Sequence, residues 1–346
     1  MLLLDQRGTG RSTPVTRHAL ARVPDQAAHL ALFRADSIVR DAEVVRRALL
    51  GDEPWTVLGQ SFGGFCTLTY LSFAPDGLRE AFTTGGVPGV EEDADAAYRA
   101  LCPIVEARND DHYARHPDDV ETVRRVVRHL RDHDVRLPGG RALTVPAFLS
   151  LGHLLGGSAG SAALHEVLEA PFTDDGELSD WFLQRVERGM PWSGAFPLYA
   201  ALHEATYANG GGPTAWSAQR VLAEHPRFDP DTALDSGDPV LFTGEMVHPS
   251  VFDEDPLLRP FRDAAHRLAE RADWPALYDP DRLRANTVPV TAAVYAEDMY
   301  VSRELSLRTA DLTRGMRVWL TADHQHDGLR VSGGAVLDRL LATARA

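Results

Sequence analysis

Gly59-Gln60-Ser61-Phe62-Gly63-Gly64 is the stretch whose reading decides the fold of this chain. It follows the apolar run 55–58 directly and opens the breaker-free segment 65–73, which reads as a helix ending before Pro75. A serine on a sharp turn from strand to helix needs glycines on either side, here Gly59 and Gly63, because side chains there would collide with neighbouring elements. The turn sets the Ser61 hydroxyl at a helix N-terminus, where the dipole and free N–H groups favour developing negative charge. Ser61 is therefore read as a nucleophile. The bland alternative is a plain glycine-rich turn.

Around this turn the chain alternates strand and helix. Residues 2–4 read as a short buried strand, followed by the polar turn Asp5-Gln6-Arg7-Gly8-Thr9-Gly10-Arg11-Ser12. Ile38, Ala42, Val45 and Leu49 fall at helical spacing within 37–50, and 79–84 is another strand. Alternation of this kind predicts a parallel α/β sheet. From about residue 91 the style becomes helical: Val120, Val123, Val126, Val127 and Leu130 share a helix face, and 151–168 and 181–186 continue in the same manner. The next strand candidate is 239–242. Strand 288–294, helix 302–312, strand 316–320 and helix 335–344 then restore the α/β pattern. One sheet unit is thus interrupted by a mostly helical insertion.

A serine is a weak nucleophile unless a base takes its proton and a carboxylate orients that base. In a strand–turn–helix architecture the acid and then the base follow in chain order, after late strands. Behind strand 288–294 stand two adjacent carboxylates, Glu297 and Asp298. Behind strand 316–320 stand two histidines, His324 and His326. Position after the last strands lifts these above the other members of a set of 14 histidines, most of which serve as surface or structural residues. A metal site at His324-Gln325-His326 is not expected, since no HExxH motif or cysteine cluster completes it.

Composition excludes other classes. With 35 basic against 50 acidic side chains the formal charge is −15, and no basic face is available for nucleic acid. All the basic residues are arginine. At 44% hydrophobic and 25% charged residues a sizeable core is expected. Cys66 and Cys102 are too few for a disulfide framework and read as buried thiols in a reducing compartment. Without a long apolar run or a signal-like opening, the expectation is a soluble, cytoplasmic protein with no membrane partner.

Taken together, Asp5-Gln6-Arg7-Gly8-Thr9-Gly10-Arg11-Ser12, the Ser61 turn, Glu297-Asp298-Met299-Tyr300-Val301 and His326-Asp327-Gly328-Leu329-Arg330 resemble the proline iminopeptidases of the α/β-hydrolase superfamily, especially their larger bacterial branch. The resemblance implies Ser61 as nucleophile, Asp298 as orienting acid and His326 as general base, with His324 and Glu297 as bystanders. It also implies that carboxylates in the insertion meet the substrate's free amino group, because a buried ammonium is costly without them. Leu202-His203-Glu204-Ala205-Thr206-Tyr207 and Phe242-Thr243-Gly244-Glu245-Met246 resemble the segments concerned, which singles out Glu204 and Glu245; either could instead be an ordinary surface charge. Tyr207, Trp216 and Phe252 could wall a proline pocket or fill the insertion's core. The expected fold class is α/β: an α/β-hydrolase parallel sheet, incomplete at its N-terminal side, with an inserted helical cap. Residues 1–90 and 286–346 would form the core and 91–285 the cap that recognises substrate.

The implied substrate is a small peptide with a free N-terminal proline, and no cofactor is implied. An oxyanion hole in this superfamily takes the N–H after the nucleophile, here Phe62, plus one from an earlier loop. The resembled family carries that loop, His-Gly-Gly-Pro-Gly, and further strands before the DQRG turn, whereas these 346 residues open at that turn's own strand. Two expectations follow: a longer natural protein begun upstream of Met1, or a shortened, inactive hydrolase-like chain. A carboxylester or amide hydrolase on the same scaffold is a further alternative, since fold and triad do not fix the leaving group.

Overall fold

In the computed structural model, which describes residues 1–345, four parallel strands form one sheet. They are β1 (Trp55–Gln60), β2 (Leu78–Thr84), β3 (Val290–Tyr295) and β4 (Met316–Thr321), side by side in that order. Parallel neighbours cannot be joined by a tight turn and need crossovers. The helix Phe62–Phe73 makes the first, and the helix Arg303–Leu312 makes the last. β2 and β3 are neighbours in the sheet although the whole helical insertion separates them in sequence.

The register aligns the C-terminal ends of the strands. Gln60 pairs with Thr84, Thr84 with Ala293, and Tyr295 with Thr321. The loops that follow all four strands therefore leave from one edge of the sheet, the edge at which open α/β sheets bind ligands. Each of the residues read as catalytic lies in one of those loops.

Burial explains the layers. β3 is buried at every position, and the helix Phe62–Phe73 is buried along most of its length, between the sheet and the helix Ala35–Leu50. That outer helix presents Ala35, Ile38, Val39 and Ala42 inward; of the stripe read from its spacing Ile38 and Ala42 are buried, whereas Val45 is only half-buried and Leu49 is exposed. Helices between Ala94 and Arg284 build a second core around Tyr98, Cys102, Val105, Phe148, Phe182 and Phe242. A third cluster joins Val15, Leu20, Ala27 and Leu30 to Trp192, Leu202, Phe252 and Trp274. Residues 15–33, grouped by sequence with the sheet, thus pack against the insertion.

Two expected strands do not form. Residues 2–4 are exposed, with no strand alongside among the described residues, and a strand needs a partner for its backbone groups. Residues 239–242 are buried but irregular. Their backbone is satisfied by side chains: Asn109 Nδ2 donates to Phe242 O at 2.9 Å, Phe242 N donates to Asn109 Oδ1 at 2.8 Å, and the Tyr113 hydroxyl donates to Val240 O at 2.5 Å. An apolar run therefore reads as a strand while a buried amide does the work of the ladder.

Candidate active site

Ser61 sits between β1 and the helix Phe62–Phe73 with φ 53° and ψ −125°, a strained conformation for any residue but glycine. Its N–H donates to Thr84 O at 3.1 Å, which ties the turn to β2. The glycines that the turn requires are Gly59 and Gly64. A Cβ on Gly59 would lie 2.2 Å from Gly63 O, and one on Gly64 2.2 Å from Gly86 O. Gly63, expected to be sterically required, faces open space. Phe62 is the first helical residue, so its N–H has no intrahelical acceptor and remains free for a ligand.

Asp298 and His326 meet across the loops after β3 and β4. His326 Nδ1 stands 2.8 Å from Asp298 Oδ2, and both side chains are buried. The other carboxylate oxygen accepts the N–H groups of Tyr300 at 2.9 Å and Val301 at 3.1 Å, which fixes the carboxylate's orientation. The Tyr300 ring stands edge-on to the imidazole with centroids 4.7 Å apart. Burial works to lower the His326 pKa, but the charge and hydrogen bond of Asp298, with Glu245 adding to them, outweigh it and hold the pKa above the ordinary imidazole value. Glu297 is mostly exposed near Arg108, and His324 lies edge-on to Tyr295 and Trp319; neither joins the pair.

Gly85 and Gly86, directly after β2, place the serine turn beside this pair. A Cβ on Gly85, whose φ is 51°, would stand 3.2 Å from both Asp298 Oδ2 and His326 Nδ1, and one on Gly86 would stand 2.4 Å from Ser61 O. Sequence reading missed these two. Their signal was a Gly-Gly pair ending an apolar strand. No hydrogen bond joins the Ser61 hydroxyl to His326 among the described residues; in hydrolases such bonds often tighten only once substrate is bound.

Ser61 opens into a cavity of about 420 Å³. Its walls are largely apolar, with Phe33, Phe65, Phe196, Leu198, Leu202 and Tyr207 among them, and Glu245 is the one carboxylate among the described residues that line it. The Tyr199 hydroxyl, from the helix Pro197–Leu202, donates to Glu245 Oε1 and anchors the carboxylate, while His203 Nε2 donates to the Glu245 backbone carbonyl at 3.1 Å and holds the main chain there. Gln6, Gly8, Thr9 and Gly10 of the DQRG turn also line it. Arg34, which sequence reading overlooked, also lines the cavity. It is buried over Trp274, with its ring centroid at 4.4 Å, and burial pulls its pKa down to about 10.

Glu204 departs from the expectation. It does not line this cavity; its two oxygens accept the N–H groups of Ser217 at 3.0 Å and Ala218 at 2.9 Å, at the start of the helix Ser217–Leu222. Burial pushes its pKa up to about 7 against those hydrogen bonds. Trp216 and Phe252 likewise belong to a core cluster, so of the three candidate aromatics only Tyr207 faces the cavity.

A parallel sheet with a strained serine after one strand, and a buried aspartate–histidine pair after two later ones, defines an α/β hydrolase. A family model described as alpha/beta hydrolase fold matches residues 1–119. Over its full length the chain is 46% identical to a proline iminopeptidase of Aeromonas sobria, of which it covers 80%. It is also 35% identical to a proline iminopeptidase named aneH of Aspergillus aculeatus, with 99% of this chain and 77% of that protein covered. The chain belongs to the proline iminopeptidase family. An esterase of Exiguobacterium antarcticum aligns over 99% of this chain and 80% of its own at a TM-score of 0.39 and 11% identity.

Proposed function

We propose that this chain is a serine aminopeptidase that releases an N-terminal proline from small peptides. The observation that carries the reading is the anchored carboxylate of Glu245, the one acidic side chain among the described lining residues of the largely apolar cavity that opens onto Ser61. A protonated proline nitrogen is a compact cation on an apolar ring, and this cavity offers a partner for each part. Burial of such a cation without a counter-charge would be prohibitive.

In this mechanism Glu245 holds the ring ammonium. Ser61 Oγ attacks the prolyl carbonyl carbon while its proton passes to His326 Nε2, and the Phe62 N–H meets the oxygen as it becomes negative. The imidazolium, held in place by Asp298, protonates the departing amine, so the C–N bond breaks and a prolyl ester of Ser61 remains. Water, deprotonated by His326, then attacks the ester; proline leaves and the serine recovers its proton. The anchored amino end of the substrate limits removal to one residue.

The test is trapping. Brief acid quench of the protein during turnover of a prolyl ester, followed by peptide mass spectrometry, is expected to find a prolyl group on the Ser61 peptide and none in Ser61→Ala. A prolyl adduct elsewhere, or undiminished turnover in that variant, contradicts the assignment.

A further inference from the structure

In the insertion, away from the Ser61 cavity, three helices converge on His112, His116, Asp119 and His165. His112 stands in the last turn of the helix Ala94–Arg115 and His116 follows as its C-cap, with the two rings' centroids 5.3 Å apart. Asp119 begins the helix Asp119–Asp132, and His165 comes from the helix Gly160–Leu168. A nitrogen of His116, a nitrogen of His165 and a carboxylate oxygen of Asp119 all lie within 4.8 Å of one another. The two imidazoles stack with centroids 4.0 Å apart and planes 13° off parallel, and His165 Nδ1 is 3.0 Å from both Asp119 oxygens.

A second feature points into the same place. His112 is wholly buried, and its Nε2 lies 3.2 Å from Asp119 Oδ2 without hydrogen-bond alignment, leaving that atom with no partner among the described residues. Its Nδ1 is paired with Ser161 Oγ at 3.0 Å, so the ring is held in one orientation. Native structures rarely leave a buried imidazole nitrogen unmatched.

We propose that His116, Asp119 and His165 form a binding site for a divalent transition-metal ion, zinc by preference, with His112 holding the Asp119 carboxylate or closing the shell from the buried side. Imidazole and carboxylate together suit zinc, copper or nickel rather than magnesium or calcium. Tetrahedral zinc with ligands at about 2.0–2.1 Å needs donor atoms roughly 3.3 Å apart, so donors now within 4.8 Å must draw together on binding, and the partly exposed His165 is the ligand with room to move. The ion would pin three insertion helices to one another. It would also steady the stretch before the helix Gly160–Leu168, where Ser158 N donates to Asp327 Oδ1 at 3.0 Å and Gly156 O accepts the His326 N–H at 3.3 Å.

The experiment is zinc titration by calorimetry on the tag-free, chelator-stripped full chain, with melting curves in parallel. One equivalent bound at micromolar affinity or tighter is expected, together with a rise in Tm that grows with zinc concentration. His165→Gln, at a half-exposed position, and the pair His116→Gln with His165→Gln should each lose at least tenfold in affinity. Should the double variant fail to fold, cobalt absorption of the wild-type protein decides: a tetrahedral visible band that zinc abolishes is expected. Absence of saturable binding, or affinity unchanged in His165→Gln, overturns the site.

Discussion

His326 Nδ1 and Asp298 Oδ2 are 2.8 Å apart in a buried pocket, while the second Asp298 oxygen is held by two backbone N–H groups. The carboxylate cannot turn away, so the imidazole is kept with Nδ1 as donor and Nε2 free to act as base. Asp298→Asn should lower kcat by on the order of 10³–10⁴. Because the pair raises the His326 pKa and the proposed mechanism needs neutral His326, the acid limb of kcat/KM should lie above the ordinary imidazole range in the wild type and move down in the variant. The same shift contributes stability that is complete below the unfolded imidazole pKa, about 6.5, and is lost as pH rises through the folded one. A pH–rate profile of both proteins checks the sign.

The serine turn makes a steric prediction. Gly64→Ala drives a methyl to 2.2 Å from Gly86 O, a backbone atom unable to move aside cheaply, and should cost about 1–3 kcal/mol of stability as well as activity. Gly63→Ala meets nothing within 4 Å and should leave stability unchanged to within about 0.5 kcal/mol. Denaturant titration of the two variants separates them; equal losses would contradict the geometry.

Glu204 is predicted to matter to stability and not to substrate. Its folded pKa, about 7, lies above the ordinary carboxylate value. Between those two values the folded protein holds a proton that the unfolded chain has released, so this group lowers stability as pH rises through that window. Glu204→Gln should flatten the slope of Tm against pH from about 5 to 7 while leaving KM for prolyl substrates within about twofold, since direct contact with a charged group would be worth far more.

Much of this site was legible because its chemistry is tied to short strings in fixed positions. The glycine-flanked serine between an apolar run and a helix needed only element order, which also narrowed the acid to Glu297 or Asp298 and the base to His324 or His326; the family resemblance pointed to Asp298 and His326. What escaped reading depended on side chains reaching across the molecule. Residues 239–242 look like a strand by composition, yet Asn109, more than a hundred positions earlier, satisfies their backbone. Glu204 and Glu245 look alike as cap glutamates; only packing reveals that one caps a helix and the other faces Ser61. Gly85 and Gly86 carry no motif, and their role follows from the register that stacks three loops at one sheet edge.

The central claim is that a free proline nitrogen is recognised by Glu245 and the adjoining carbonyl is attacked by Ser61. The most direct measurement compares kcat/KM for prolyl-p-nitroanilide and its N-acetyl derivative in wild type and Glu245→Gln. Loss of a hydrogen bond to a charged group, about 1.5–3 kcal/mol, predicts a fall of roughly 10- to 100-fold on the free-amine substrate, mainly through KM. The acetylated compound should be turned over poorly by both proteins. Equal turnover of the two substrates by the wild type, or a Glu245→Gln enzyme as active as its parent on the free amine, would contradict the account.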